Sequence, residues 1–186
     1  MTMEILDLER IRSGFPGITA KVGEYLLEGC VVCLNRKNHQ SGITLSISGD
    51  FHENVPIRWT LPITKQMERT WANQNEATES GAVCIAVLLV EELTDYTVTE
   101  KASQGTGIDF WLGRKDRFAT DYDLFRRDAR LEISGIFDGS QAETMTRFNM
   151  KLLQTNQSDD SERPVFVCVV EFSHPRARLG VKNDST

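Results

Sequence analysis

Apolar residues recur at helical spacing early in the chain. Val22, Leu26, Cys30 and Cys33 or Leu34 fall one turn apart, and Tyr25 and Leu27 widen the stripe, so the pattern predicts a helix over 18–35. Before it, residues 3–11 read as a short helix ended by Gly14 and by Pro16-Gly17. After it, 38–42 carries turn residues. Residues 43–49 then alternate apolar with hydroxyl side chains, the mark of a half-buried strand. Residues 50–56 read as a loop and 57–61 as a second, shorter strand closed by Pro62, with Thr64 placed to cap the next helix.

The next helical stretch, 65–93, contains no proline and one glycine, Gly81. Its first half is polar. Its second half, 82–90, is apolar on every side, which predicts burial against a sheet or between layers. The weak helical run 73–75 marks a place where a separate short helix can end. Residues 96–100 are β-rich, 105–112 form a glycine-led strand, and 129–135 form another. In this last strand Leu131, Ile133 and Gly135 share one face, and Arg130, Glu132 and Ser134 share the other. Residues 114–128 are dense in charge and read as an exposed connection. Asp138 or Ser140 can cap a helix over 141–154. The polar run 155–163 reads as a loop, and 165–172 is a continuous apolar run of the kind found in buried central strands. Ser173-His174-Pro175 breaks it, and the residues after 175 read as a flexible tail.

The length, 186 residues, and the composition, 40% hydrophobic and 26% charged, allow one compact domain with an ordinary core. The expected partition is an N-terminal extension over 1–64, a core over 65–175 and a tail over 176–186. The net charge of −6 argues against a large basic surface gripping nucleic acid unaided. Cys30-Val31-Val32-Cys33 has no second pair at metal-binding spacing, so the four cysteines read as buried free thiols. Residues 1–12 lack the apolar core of a signal peptide, and no run approaches the length of a membrane span. A cytoplasmic protein without membrane contact is therefore expected.

Asp109 is the one acid in the apolar run 108–112, and Glu132 is the acid of the strand that follows. An acid in a sheet strand costs desolvation free energy unless it is paired. Two on neighbouring strands repel unless a cation or proton lies between them. A divalent ion resolves this, since carboxylate oxygens are what Mg²⁺ prefers. The plainer alternative is that Asp109 pairs with Arg114, Lys115 or Arg130, and that Glu132 and Arg130 face solvent. Phe110 and Trp111 fit a core, Arg126 and Arg127 fit solvated loop charges, and His39, His52 and His174 each sit near a turn. No G-x-S-x-G elbow, Walker motif or G-x-G-x-x-G is present.

The order from residue 65 is helix, strand, strand with Asp109, strand with Glu132, helix, strand. Over about residues 65–172 this order, with its acids, resembles the core of the PD-(D/E)XK phosphodiesterase superfamily, which includes many restriction and repair nucleases. The resemblance implies an α/β fold: a central mixed sheet flanked by helices, with a restriction-endonuclease-like α-β-β-β-α-β core and an N-terminal helix and hairpin extension. It implies Asp109 and Glu132 as ligands of Mg²⁺ or Mn²⁺, and Glu79, or Glu76, as the further acid on the first core helix. Ser134 stands where the family's lysine is usual and cannot supply its charge, which leaves Lys101 or Arg130 to do so. The implied function is metal-dependent cleavage of nucleic acid in a defence or repair system, with a protein partner helping to grip the substrate and a homodimer serving to cut both strands. The other expectation is a catalytically degenerate nuclease-like subunit that binds or regulates a larger complex. An enzyme requires the acids to converge on an open pocket, whereas an interaction module neutralises each acid with a base and has no cavity.

Overall fold

The computed structural model describes residues 3–117, 126–155 and 163–182. Most of the charged connection and of the polar loop expected at 155–163 lie outside these residues. The elements are β1 (Leu6–Asp7), a 3-10 helix (Leu8–Ser13), α1 (Ala20–Arg36), β2 (Thr44–Gly49), β3 (Glu53–Arg58), α2 (Lys65–Thr70), α3 (Gln74–Leu93), β4 (Tyr96–Lys101), β5 (Phe110–Arg114), β6 (Ala129–Ile136), α4 (Gln141–Thr155), β7 (Val165–Glu171) and β8 (Arg176–Lys182). The eight strands form one mixed sheet in the order β1-β3-β2-β8-β7-β6-β5-β4. The neighbours β1–β3, β2–β8 and β6–β7 are parallel and the remaining pairs antiparallel. The architecture is thus α/β, as the element pattern predicts.

Each helix starts where a side chain accepts from an otherwise orphaned N–H. Thr19, Thr64 and Asn73 do this for α1, α2 and α3. Ser140 and Glu143 exchange bonds at the start of α4, from Ser140 N–H to Glu143 Oε2 (2.7 Å) and from Glu143 N–H to Ser140 Oγ (3.2 Å), which is a capping box. The expected long helix over 65–93 is broken at Trp71–Asn73 into α2 and α3. The apolar half of α3 is buried all round because α1 covers it on one side and the sheet on the other. The two helices touch backbone to backbone at Gly81, where a Cβ would lie 2.9 Å from the Cα of Cys30. On the opposite sheet face α4 rests Phe148 on Val165, Val167 and Val169 of β7. All four cysteines are buried and free, and burial pushes the thiols of Cys33 and Cys168 up to about 12.

Three expectations are corrected. The lead-in helix is instead β1 followed by the 3-10 helix, with β1 pairing Leu6 to Ile57. The expected loop at 50–56 contains the first half of β3. Pro56 is tolerated there because Ile57 turns its own N–H and C=O to Ile43 and Gly42 on the β2 side, so the Pro56 nitrogen faces away from β2. Residues 176–182 are not tail but β8, inserted between β2 and β7. Arg176-Ala177-Arg178-Leu179 alternates as a half-buried strand does, but its partners are remote in sequence. Glu171, wholly buried, fixes the turn into β8. It accepts from the N–H groups of Ser173 (2.6 Å) and His174 (3.1 Å), from the Ser173 hydroxyl, and from Arg176 Nε (3.1 Å). Among the described residues no helix is long and apolar enough to cross a membrane.

Candidate functional site

The sheet forks between β5 and β6. The two strands pair only over Phe110–Leu112 and Ala129–Leu131, and one further bond from Asp109 N–H to Leu131 C=O (2.9 Å) ends the ladder. Before Asp109 the chain turns away through Gly105 and Gly107, which hold φ of +89° and +70°, a region glycine enters without penalty. Beyond Leu131, β6 runs on with β7 as its only strand neighbour. The N–H groups of Ile133 and Gly135 therefore point into the gap and need acceptors. Asp109 Oδ2 accepts from Ile133 (2.7 Å) and Glu79 Oε2 from Gly135 (3.4 Å). Two carboxylates complete the hydrogen bonds that a longer β5 would have made.

Glu132 and Ser134 alternate onto the face that α4 covers, and both are buried, which corrects the solvent-facing expectation for Glu132 and Arg130. Arg147 and Lys151, one turn apart on α4, meet them. Lys151 Nζ lies 2.5 Å from Glu132 Oε1, and Arg147 Nη1 donates to Ser134 Oγ at 3.1 Å. Asp109 lies close enough to Glu132 for like-charge repulsion between the two carboxyls. Burial pushes the Glu132 carboxyl up to about 7, the Asp109 charge adds to this, and Lys151 pulls against it. The Glu79 carboxyl is likewise raised, first by desolvation, although much of the side-chain surface is exposed; the Gly135 N–H and Lys151 oppose the rise.

A cavity of about 420 Å³ opens at the fork, lined by Lys101, the loop 102–108, Asp109 and Glu132. The structure therefore brings Asp109, Glu132 and Lys101 to one cavity, with Glu79 at the edge of the fork. Ser134 is held instead by Arg147, under α4. Glu76 is not part of the group, since its carboxylate accepts from the Tyr25 hydroxyl at 2.8 Å on the outer side. None of the bases considered for Asp109 pairs with it. Arg114 lies over Tyr96, Lys115 pairs with Glu91, and Arg130 donates to the Arg163 carbonyl. Arg127 is spent on Glu100 and on the face of Trp111. Lys151 was not singled out by the sequence reading. The i, i+4 spacing of Arg147 and Lys151 places them on one side of α4, but it does not say which strand that side meets.

Among the described residues no group of three or more His, Cys, Asp or Glu is arranged to hold a metal ion. The chemistry of the Asp109–Glu132 pair nevertheless fits a hard divalent cation: both present oxygen donors to one cavity, and a cation between them relieves their mutual repulsion. Comparison with family models, with curated proteins and with solved structures returns no match to this chain.

Proposed function

We propose that the chain is a metal-dependent phosphodiesterase acting on nucleic acid, with the fork between β5 and β6 as its site. The observation that carries this reading is the convergence of Asp109 and Glu132 on an open cavity, with Lys151 of α4 paired to Glu132. The chain order also supports it: α3, then antiparallel β4, β5 and β6, then α4, then β7 parallel to β6, which is the α-β-β-β-α-β order of a restriction-endonuclease-like core. Asp109 and Glu132 would hold Mg²⁺ or Mn²⁺, whose chemistry is to lower the pKa of a bound water and to offset charge at phosphorus. Lys151 supplies from a helix the cation that Ser134 cannot supply from the strand. Its N–H groups can orient a water or a phosphoryl oxygen beside Glu132. Lys101, exposed at the rim, adds a second positive charge where a phosphate would enter. Ser134 has only a positioning role, through Arg147. With a net charge of −6, the protein takes its grip on nucleic acid from a protein partner or a second copy, as a member of a defence or repair system would.

The Lys151–Glu132 pair favours a second reading, a degenerate nuclease-like subunit whose acids serve the fold and a partner. Asp109 supports the first reading, because no described base pairs with it and it lines a cavity. The test is cleavage of labelled single-stranded DNA, duplex DNA and RNA with Mg²⁺ or Mn²⁺. Cleavage abolished by chelator and lowered at least ~100-fold in Asp109→Asn, Glu132→Gln and Lys151→Met is expected. No cleavage of any substrate by the wild type, or full activity in Asp109→Asn, would leave the second reading.

A further inference from the structure

On the same sheet face as Glu132, but across α4 from it, lies a second cavity, of about 490 Å³. Its floor is the parallel pair β2–β8, where Ser46 stands opposite Arg176 and Ser48 opposite Arg178. Its wall is the first turn of α4 at Gln141, and its rim is the β7–β8 turn at His174. No Asp or Glu lines it, in a chain that carries 27 of them.

Arg178 is the reason to read this cavity as a site. Its guanidinium sits over the ring of Phe148, 5.0 Å from the centroid, so its position is fixed by packing. It makes no hydrogen bond or ion pair with any described residue, and its Nε is shut off from water without a partner. A guanidinium has five N–H donors, and leaving them unspent in a half-buried setting costs free energy unless something else accepts them. Arg176 spends only Nε, on Glu171 and on the His174 carbonyl, leaving its terminal nitrogens without a bond to the described residues. The hydroxyls of Ser46 and Ser48 likewise bond to no described residue and stand on the floor beside the two arginines.

We infer that this cavity binds a phosphomonoester, held by Arg178 and Arg176 with Ser46 and Ser48 as hydroxyl donors. Arginine and hydroxyl donors approaching from two strands suit a tetrahedral oxyanion better than a planar carboxylate. The arginine forks match paired phosphate oxygens. The volume lies in the range of small-molecule sites, and Ile43, Met145 and Pro175 give an apolar side wall against which a nucleoside-sized body can rest. The site needs no metal and is independent of the acid fork.

The test is calorimetric titration of the full chain with inorganic phosphate and with adenosine monophosphate, in the presence of EDTA so that no metal-borne phosphate binding at the fork contributes. One saturable site is expected, tighter for the nucleotide than for phosphate. Arg178→Gln is expected to weaken it at least tenfold and Ser48→Ala severalfold, while circular dichroism and melting temperature confirm that both variants fold. A 5′-phosphorylated oligonucleotide that outcompetes the mononucleotide, while its dephosphorylated form does not, would assign the phosphomonoester to a strand end. Equal or weaker competition would assign it to a free small molecule. Absence of binding by both small probes overturns the inference, as does unchanged affinity in Arg178→Gln. If that variant fails to fold, unchanged affinity in Ser48→Ala does so in its place.

Discussion

Glu132 is where burial, a neighbouring acid and a lysine act on one carboxyl. Its value in the folded chain is about 7, against an ordinary 4.5. The native state thus prefers the protonated form. The stability this brings is full below pH 4.5 and is lost as the pH rises through about 7. Wild-type stability should therefore fall by on the order of 2–3 kcal/mol across that window, and Glu132→Gln should flatten the fall. Urea denaturation at a series of pH values checks it. Lys151→Met should destabilise by about 1–3 kcal/mol at pH 8, where Glu132 is ionised and left without its cation, and by far less at pH 5, where it is protonated. The same denaturation series measures both. Asp109 and Glu132 were legible in the sequence because acids are rare in apolar strands. Lys151 was not, because which residues of α4 reach β6 depends on how the helix docks, and local spacing does not carry that. In the proposed site the charge that Ser134 cannot supply comes from Lys151 on α4, which pairs with Glu132.

The fork is a property of elements. It exists because the loop before Asp109 turns at two glycines and shortens β5, leaving two N–H groups of β6 for Asp109 and Glu79. The same edge of β6 lies hard against α3. At Gly135 a Cβ would stand 2.6 Å from the Thr78 carbonyl oxygen and 2.8 Å from its Cγ2. Gly135→Ala should push α3 away, cost about 1–3 kcal/mol and loosen the Glu79 contact, seen as a lower melting temperature. Strongly periodic elements, α1, β2, α3, β6 and β7, were legible to within a few residues. The start of β3 was hidden by Pro56, whose place in a strand is acceptable only because of which edge its nitrogen faces. The lead-in was read as helical because a 3-10 turn and an α-helix share polar and apolar spacing over so few residues.

At the scale of the molecule the sheet closes through β8, the last described strand, which stands between β2 and β7 and joins the N-terminal strands to the fork-bearing half. Deleting residues 176–186 should abolish the cooperative thermal transition, since it strips a partner from both neighbours and uncovers Ala177 and Leu179's share of the core; circular dichroism melting checks this. The sequence could not show it, because the parallel pairing of β8 with β2 joins residues about 130 positions apart, which no local pattern encodes. The central claim is that the fork holds a divalent cation. The most direct test is calorimetric titration of wild type and Asp109→Ala with Mn²⁺ at pH 7, in two buffers of different ionisation enthalpy. Binding at one or two sites, absent in Asp109→Ala and accompanied by proton release as the cation displaces the proton of Glu132, is the predicted result. No binding by the wild type, or equal binding by Asp109→Ala, would contradict it.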